Sequence, residues 1–133
     1  MIKLKRTVQQ MLAEANAEIE TVSATDAIKL KDDPNVQFVD IRDIRELDRD
    51  GRIPGAFHAP RGMLEFWIDP ESPYHKEIFD SGKKFLFFCA GGARSALTAQ
   101  TLQQMGLEPV CHMGGGFSAW KAAGGTVEGG KNA

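Results

Sequence analysis

The sequence predicts an α/β fold in which helices cover both faces of a parallel sheet. Short apolar runs alternate along the chain with stretches that repeat apolar residues at helical spacing, a pattern typical of strand–helix–strand connectivity. The run Phe85–Phe88 is apolar at every position and is bounded by lysines on one side and a glycine turn on the other. Such a run indicates a strand that is buried on both faces, as strands of parallel sheets are.

The predicted elements begin with an amphipathic helix between Thr7 and Ile19. Its apolar residues recur at helical spacing, so that one face of the helix is apolar. We expect this helix to pack on its own domain, and the alternative is that it docks a partner protein.

The remaining elements follow from strand-forming runs, turn residues and helix caps. Ser23 and Asp26 form a variant of the capping box, and Gly106 ends the helix that follows the cysteine loop. In chain order we predict a strand at Glu20–Val22, a helix from Ser23 to about Lys31, a strand at Val36–Ile41, a short polar helix through Leu47, a short strand at Ala56–Ala59, helical turns at Arg61–Trp67, a helix from Pro73 to Phe79, a strand at Phe85–Phe88, a helix at Arg94–Met105, a strand at Pro109–His112 and a helix at Phe117–Ala123.

The chain of 133 residues is long enough for one domain with a hydrophobic core. We place an appended N-terminal helix at residues 1–20, a core domain at residues 21–127 and a flexible tail at residues 128–133. The net charge of −2 gives no basic surface of the kind that binds nucleic acid. No run has the apolar length of a membrane span or the pattern of a secretory signal. Two cysteines fit a reducing compartment, so we expect a cytoplasmic protein with no nucleic-acid or membrane partner.

Cys89 stands where the run Phe85–Phe88 ends and a Gly-Gly turn opens a helix. The carboxyl ends of parallel strands are where open α/β sheets bind ligands. Gly91 and Gly92 allow consecutive amides to turn inward as an anion-binding nest, and the helix start and Arg94 add positive charge. Each of these features stabilises a thiolate relative to a thiol. We therefore expect Cys89 to be a nucleophile near neutral pH rather than a structural thiol.

Four stretches of the sequence resemble the rhodanese-type family of single-domain sulfurtransferases. The resemblance runs from about residue 21 to about residue 127, nearly the whole chain, and the four stretches occur in the family's order. Arg52 stands where the family usually has a histidine, in a surface turn. The four stretches are Val39-Asp40-Ile41-Arg42 with Glu46 (family pattern D-V-R-x-x-x-E), Gly51-Arg52-Ile53-Pro54-Gly55-Ala56 (G-H-I-P-G-A), Cys89-Ala90-Gly91-Gly92-Ala93-Arg94-Ser95 (C-x-x-G-x-R-S) and Gly114-Gly115-Gly116-Phe117-Ser118-Ala119-Trp120 (G-G-x-x-x-W).

The resemblance implies a three-layer α/β/α fold around a sheet of five mostly parallel strands. It also implies that Cys89 accepts a sulfane sulfur, becomes a persulfide and passes the sulfur to a nucleophile, with thiosulfate and cyanide as the usual laboratory pair. Asp40, Arg42 and Glu46 are then structural supports of the site. The backbone amides that would hold the sulfur or the incoming anion belong to Ala90, Gly91, Gly92, Ala93, Arg94 and Ser95.

The same resemblance sets the expected partners. No metal or organic cofactor is implied, and the partners are a small sulfur donor and a thiol or protein acceptor. We expect a monomer or a weak homodimer. The alternative to an enzyme is a sulfur-carrier or protein-binding module on the same fold.

The length of the cysteine loop separates sulfur transfer from phosphoryl transfer, because a group of protein phosphatases resembles this fold and also uses a cysteine and an arginine. Four residues lie between Cys89 and Arg94, and the phosphatase pattern has one more. The shorter ring of amides suits a single sulfur atom better than a tetrahedral phosphoryl group. Phe88 also stands where a histidine usually precedes the phosphatase cysteine. We therefore do not expect phosphatase activity.

Arg94 has two interpretations. It binds an anionic donor through its planar fork, or it pairs with Asp40 or Glu46 beneath the loop. We favour the second, because a charged group near buried strand ends needs a partner. Ala90 and Ala93 offer no charge, so we expect thiosulfate to be a poor donor and a protein or small-thiol persulfide to be the better one.

Further hypotheses concern the second cysteine, the histidines and three residues that could line a pocket. Cys111 could form a disulfide with Cys89, but its short apolar strand predicts a plain buried thiol. His58 and His112 end strands and could move protons, although a satisfied or exposed histidine is the commoner case, and His75 lies in a polar stretch that predicts solvation. Further candidates for the rim of a pocket, with core packing as the alternative for the aromatic residues, are Arg61, Trp67 and Phe117.

Overall fold

The computed structural model, which describes residues 1–131, contains one sheet of five strands. The strands are β1 (Glu20–Val22), β2 (Val36–Asp40), β3 (Phe57–His58), β4 (Lys84–Phe88) and β5 (Val110–Met113). Their order in the sheet is β1-β5-β4-β2-β3, and every pairing between neighbouring strands is parallel. The predicted α/β class with a five-stranded, mostly parallel sheet is therefore confirmed.

Helices cover both faces of this sheet. The α-helices of the described chain are α1 (Val8–Glu18), α2 (Ala24–Leu30), α3 (Ile44–Asp50), α4 (Leu64–Ile68), α5 (Ala93–Met105) and α6 (Gly116–Ala122), with 3-10 turns at Arg61–Met63 and Glu77–Asp80. Within residues 1–131, none of these helices has the length and apolar character that a membrane crossing requires.

The central strand β4 divides its side chains between two separate cores. Successive side chains of a strand point to opposite faces of the sheet. Phe85 and Phe87 accordingly lie in the core that includes residues of α1 and α5, whereas Leu86 and Phe88 lie in the core that includes residues of α2 and α6. The run is apolar throughout because each of these side chains is buried. Cys89 follows Phe88 and belongs to the first of the two cores.

The N-terminal helix α1 packs on its own domain, along α5. Thr7 and Gln10 form a capping box at its start, in which each side chain accepts the other residue's backbone amide. Ala15 is fully buried and Ile19 nearly so, in the same core as the first face of β4. Of the two interpretations of this helix, packing on its own domain is the one that the structure shows.

The helix predicted from Pro73 to Phe79 is wrong. The His75 amide donates to the carbonyl of Ser72, and the Ser72 hydroxyl accepts the Tyr74 amide. These local bonds compete with the helical pattern, as serine side chains commonly do in turns. Only the 3-10 turn at Glu77–Asp80 remains of the predicted helix.

The last described residues are tied to the body of the domain. The backbones of Glu128 and Arg52 exchange two hydrogen bonds of 2.9 Å, and the Lys131 amide donates to two carbonyls at the end of α3. The tail predicted at residues 128–133 is thus hydrogen-bonded as far as Lys131, and residues 132–133 lie outside the described part of the chain. The boundaries given above for the core domain stay predictions.

Candidate active site

Cys89 lies at the carboxyl end of β4, in the loop that opens α5. The ends of β2 and β5 meet at the same edge of the sheet, because these strands run parallel to β4. Gly92 caps α5 with a φ of 102°, in the left-handed region that glycine adopts without strain. Cys89 is only 1% exposed, so its sulfur lies beneath the surface of the loop.

Two backbone amides point at Cys89 Sγ. The Gly92 amide donates to Sγ at 3.2 Å, and the Ser95 amide donates at 3.4 Å. Ser95 also places its hydroxyl oxygen 3.6 Å from the sulfur. Both amides lie at the N-terminus of α5, where the N–H groups carry partial positive charge. The arrangement therefore favours negative charge on this sulfur.

The structure brings part of the predicted amide cradle onto the sulfur. Within the described chain, Gly92 and Ser95 are the predicted cradle residues whose amides are hydrogen-bonded to Sγ. The other predicted members line the rest of the loop and the first residues of α5. These other members are Ala90, Gly91, Ala93 and Arg94.

Helix α6 holds the loop from the other side. The Phe117 amide donates to the Cys89 carbonyl at 2.8 Å, and the Ser118 amide donates to the Ala90 carbonyl at 3.1 Å. Gly116, which begins α6, has a φ of 59°, and a Cβ placed on it would lie 2.4 Å from the Cys89 carbonyl oxygen. A side chain at this position would push the helix and the loop apart, so the close approach requires glycine.

Arg94 pairs with Glu46 through two hydrogen bonds of 2.9 Å. This pairing lowers the pKa of the Glu46 carboxyl and raises the pKa of the Arg94 guanidinium. The nearby Cys89 adds to the raised pKa of Arg94. Of the two interpretations of Arg94, the structure shows the pairing with a carboxylate, and that carboxylate is Glu46 rather than Asp40.

Asp40 instead forms a buried ion pair with Arg42, at 2.7 Å. The Arg42 guanidinium also donates to the carbonyl of Gly51 and lies 4.1 Å from the centre of the Phe117 ring. Both charged side chains are 1% exposed, so each relies on the other for its partner. The pair connects the end of β2 to α6, which in turn holds the loop of Cys89.

Cys111 lies on the opposite face of the sheet from Cys89. Cys111 belongs to the core of α2 and α6, and Cys89 belongs to the core of α1 and α5. Burial raises the pKa of the Cys111 thiol to about 12, which keeps it protonated and unreactive. The prediction of a plain buried thiol is confirmed, and this geometry does not allow a disulfide with Cys89.

His112 is the predicted histidine that reaches the site. It is 2% exposed, and its Nδ1 lies 3.0 Å from Ser95 Oγ. Its Nε2 lies 3.1 Å from Thr21 Oγ1 and 3.2 Å from Asn16 Oδ1. Burial lowers the pKa of His112. The imidazole is therefore a neutral, fully bonded group next to the residue that contacts the cysteine.

The other two histidines are hydrogen-bonded to groups outside the cysteine loop. His58 Nε2 is hydrogen-bonded to the Arg42 carbonyl at 2.7 Å. His75 bridges the Trp67 carbonyl and the Asp80 carboxylate, which raises the pKa of its imidazole. The prediction of a solvated His75 is wrong, because its side chain is only 16% exposed and both ring nitrogens have partners.

The three candidates for the pocket rim have other roles. Arg61 pairs with Glu65 at 2.6 Å. Trp67 packs edge-on against Phe57 in the core, and Phe117 is a buried core residue beneath Arg42. For both aromatic residues the core interpretation is the one that the structure shows.

A groove of about 390 Å³ runs beside the loop, where α1 approaches the glycine turn after β5. Leu12 and Asn16 of α1 line one side of it, and Thr21, His112 and the loop glycines line the other. Another groove, of about 420 Å³, lies by Met105, at the far end of α5. The sequence analysis missed the part that α1 takes in the first groove, because Asn16 belongs to none of the recognised stretches.

The described residues contain no group of three or more His, Cys, Asp or Glu side chains arranged to hold a metal ion. The reactive groups of the site are one cysteine in a ring of amides, a neighbouring hydroxyl and an imidazole. These groups can form, hold and protonate a sulfur anion.

Comparisons with known proteins agree with this arrangement. The rhodanese-like domain family matches residues 23–123. The thiosulfate sulfurtransferase GlpE of Shewanella oneidensis is 30% identical over 102 residues, which are 77% of this chain and 92% of GlpE.

Solved structures extend the match. Protein RPA3614 of Rhodopseudomonas palustris CGA009, described as of unknown function and a possible tyrosine phosphatase, has a TM-score of 0.94 at 57% identity, over 96% of this chain and 98% of that one. A rhodanese-related protein of Thermoplasma volcanium has a TM-score of 0.67 at 26% identity, over 82% of this chain and 97% of that one. The family match spans strands β2 to β5 and the cysteine loop, and the chain therefore belongs to the single-domain rhodanese-like family.

Proposed function

We propose that this protein transfers sulfane sulfur through a persulfide on Cys89. The observation that carries the proposal is the position of Sγ, which accepts amide hydrogen bonds from Gly92 and Ser95 at the start of a helix. A sulfur atom held in this way is favoured as an anion. The thiolate is the form of cysteine that attacks another sulfur atom.

The reaction consists of two exchanges at sulfur. In the first, the Cys89 thiolate attacks the outer sulfur of the donor, a bond forms between the two sulfur atoms, and the rest of the donor leaves with the electron pair of the broken bond. For thiosulfate the leaving group is sulfite. In the second, a thiolate or cyanide attacks the outer sulfur of the persulfide, and Cys89 leaves as a thiolate. The protein returns to its starting oxidation state, so the cycle needs no cofactor.

The charges around the loop favour a persulfide donor over thiosulfate. The Arg94 guanidinium is already engaged by Glu46 in two hydrogen bonds, and Ala90 and Ala93 bring no charge to the loop. A dianion such as thiosulfate therefore gains little electrostatic attraction here. A small-thiol persulfide or a protein persulfide depends less on such attraction, and we propose that one of these is the donor.

The description of RPA3614 raises phosphoryl transfer as a competing function. The loop of the present chain argues against it, because only four residues separate Cys89 from Arg94. Both oxygens of Glu46 also occupy the Arg94 fork, which a phosphatase would direct at its substrate. We expect no turnover of an aryl phosphate under conditions in which sulfur transfer proceeds.

The experiment that tests the proposal combines intact-mass analysis with turnover. After incubation with glutathione persulfide, the protein should gain the mass of one sulfur atom, which cyanide or dithiothreitol should remove. The adduct should be absent from Cys89→Ser and present on Cys111→Ser, the matched control on the other face of the sheet. A wild-type protein without the adduct, or an adduct retained by Cys89→Ser, contradicts the proposal. An adduct that forms without steady-state transfer to a thiol would indicate a sulfur carrier instead of an enzyme.

A further inference from the structure

We propose that His112 is the base that takes up the Cys89 thiol proton, relayed through the Ser95 hydroxyl, and that Asn16 holds the imidazole in place. The inference deepens the proposed function, on which its catalytic meaning rests, because it states how the attacking thiolate forms. His112 contacts Ser95 and not the reacting sulfur, so we class it as a positioning residue and not as a catalytic residue.

A continuous chain of polar atoms connects Cys89 to helix α1. Cys89 Sγ lies 3.6 Å from Ser95 Oγ, and Ser95 Oγ lies 3.0 Å from His112 Nδ1. On the far side of the ring, Nε2 lies 3.1 Å from Thr21 Oγ1 and 3.2 Å from Asn16 Oδ1. Ser95 is fully buried and His112 is nearly so. Ser95 and His112, in the middle of the chain of atoms, are therefore shielded from bulk water, and its far end lies in the groove beside α1.

The partners of Nε2 fix the direction of the hydrogen bonds. Asn16 Oδ1 can only accept, and it also accepts from the Thr21 hydroxyl at 3.5 Å. Nε2 therefore carries the proton and donates it, which leaves Nδ1 with a lone pair. In the proposed relay the Ser95 hydroxyl donates to that lone pair at 3.0 Å, a shorter distance than the 3.3 Å to its other acceptor, the Gly92 carbonyl. The oxygen of Ser95 is then left to accept the thiol proton of Cys89.

With the hydrogen bonds oriented in this way, two protons can move together, one from Cys89 to Ser95 and one from Ser95 to His112. The S–H bond of Cys89 breaks, its electron pair stays on sulfur, and its proton goes to Ser95 Oγ. The proton that Ser95 held goes to His112 Nδ1. The products are a thiolate, a neutral serine and an imidazolium whose two N–H groups face Ser95 and Asn16. Nothing is oxidised or reduced, and the proton returns by the same route when the thiolate is protonated.

The immediate neighbours of the imidazole are neutral. Asn16 faces it from α1, Thr21 from β1 and Ser95 from α5, and Cys111, the adjacent residue of β5, lies in the core on the other face. Burial lowers the pKa of His112, so the ring is neutral near neutral pH. It is thus in the state that can accept a proton.

The charges of the loop are not directed at the ring. Arg94 is paired with Glu46, and Phe87 is the residue of β4 that lies beside His112 in the sheet. Ser95 instead connects the ring to the Cys89 thiol. After the transfer the thiolate and the imidazolium form a neutral pair, which offsets the cost of a buried charge.

Part of this chain of atoms lies outside the family match. The match begins at residue 23, so Asn16 and Thr21 precede it. Helix α1 is fixed against α5 by its apolar face, and this packing is what places Asn16 at the ring. The relay therefore depends on a helix that the family match does not include.

The test is the rate at which iodoacetamide alkylates Cys89, measured by peptide mass mapping from about pH 5 to about pH 9. This measurement needs no sulfur donor. We expect His112→Gln to slow alkylation near neutral pH by about tenfold and to move the half-maximal rate to higher pH. An unchanged pH profile in a folded His112→Gln protein would overturn the proposal.

Asn16 provides a second test that does not disturb the core, because it lies on the exposed side of α1. Asn16→Asp places a carboxylate beside Nε2, stabilises the imidazolium and should move the half-maximal rate to lower pH. Asn16→Leu removes the acceptor and should move it to higher pH. Asn35→Asp, exposed in the turn before β2, adds the same charge elsewhere and should leave the profile unchanged. Shifts in the same direction for both Asn16 variants would indicate a packing role only and would overturn the proposal.

The two proposals fail separately. A profile that shifts as expected in a protein that forms no persulfide leaves the relay standing and removes the sulfur-transfer function. A persulfide that forms in a protein whose profile is insensitive to Asn16 and His112 leaves sulfur transfer standing and removes the relay.

Discussion

Glu46 and Arg94 are joined by two hydrogen bonds of 2.9 Å each, which connect α3 to the first turn of α5 beside the cysteine loop. Glu46 also closes the capping box of α3, because its side chain accepts the Asp43 amide at 2.9 Å. A bidentate pair of this kind fixes the plane of the guanidinium. One carboxylate therefore sets both the start of α3 and the direction of Arg94.

Glu46→Gln should lower the free energy of unfolding by about 1 kcal/mol at neutral pH, because it removes the charge of a partly exposed pair and keeps the capping oxygen. Pairing with Arg94 lowers the pKa of Glu46 below its ordinary value of 4.5. Its contribution is therefore present above that value and is lost as the pH falls through the lowered one. Denaturant unfolding of both proteins should show a difference at neutral pH that vanishes in acid.

Glu65→Gln is the matched control for this prediction. Glu65 forms a similar pair with Arg61, and its pKa is likewise lowered. The control should show the same kind of acid dependence without any change in alkylation of Cys89. If the loss of unfolding free energy in Glu46→Gln persisted unchanged in acid, the ionised Glu46 carboxylate would not be the source of that stability.

Gly116→Ala should displace the cysteine loop. The added Cβ would lie 2.4 Å from the Cys89 carbonyl oxygen and 2.7 Å from the Ala90 carbonyl carbon, and the φ of 59° is unfavourable for alanine. We expect a loss of about 2 kcal/mol or more in stability and a large loss of sulfur transfer. Thermal unfolding and the persulfide assay measure the two effects.

Gly124→Ala separates the backbone cost from the clash. Gly124 also has a left-handed φ, of 87°, but a Cβ there would meet no atom within 4 Å. This control should lose about 1 kcal/mol and keep its activity. If the two variants behave alike, the close approach of α6 to the loop is not what holds the cysteine.

Cys111 should resist modification in the folded protein. Burial raises the pKa of its thiol from 9.0 to about 12, so little thiolate forms at mildly alkaline pH. Iodoacetamide should therefore label Cys89 in the native protein and reach Cys111 only after denaturation. Equal labelling of the two cysteines without denaturant, or an intramolecular disulfide in the oxidised protein, would show that they are not separated by the sheet.

The sequence was sufficient to predict the sheet and the position of the cysteine at its edge. The apolar run of β4 predicts burial on both faces, and the structure divides its side chains between two cores. The glycine turn after it predicts the loop at the edge of the sheet. These features are local, since a strand and the turn that follows it are encoded in neighbouring residues.

The features that the sequence did not predict depend on long-range packing or on competing local bonds. Asn16 and His112 are separated by 96 positions, and only the packing of α1 on α5 brings them together. The helix expected after Pro73 is replaced by a turn, because the Ser72 side chain accepts a backbone amide there. The periodicity of apolar residues predicts neither the Asn16–His112 contact nor the turn after Pro73. It indicates which face of a helix or strand is apolar, but not which polar groups come into contact.

The stability of the folded protein should fall as the pH drops through the range in which His112 titrates. Burial holds the pKa of His112 below its ordinary value of 6.5, so the unfolded chain takes up a proton before the folded protein does. The contribution of the neutral ring is therefore present above pH 6.5 and is lost as the pH falls toward the lowered value. Denaturant unfolding between about pH 7.5 and about pH 5 should show this loss in the wild type and less of it in His112→Gln.

His75 supplies the opposite sign in the same pH range and serves as the control. Asp80 raises the pKa of His75 above 6.5, so its contribution is present below that pH and is lost as the pH rises through the raised value. Replacing it by His75→Gln should therefore steepen the loss of stability in acid, whereas His112→Gln should flatten it. The two variants isolate the two imidazoles, because one lies buried beside Ser95 and the other lies partly buried beside Asp80. Equal slopes in the two variants would show that neither ring differs in protonation between the folded and unfolded states.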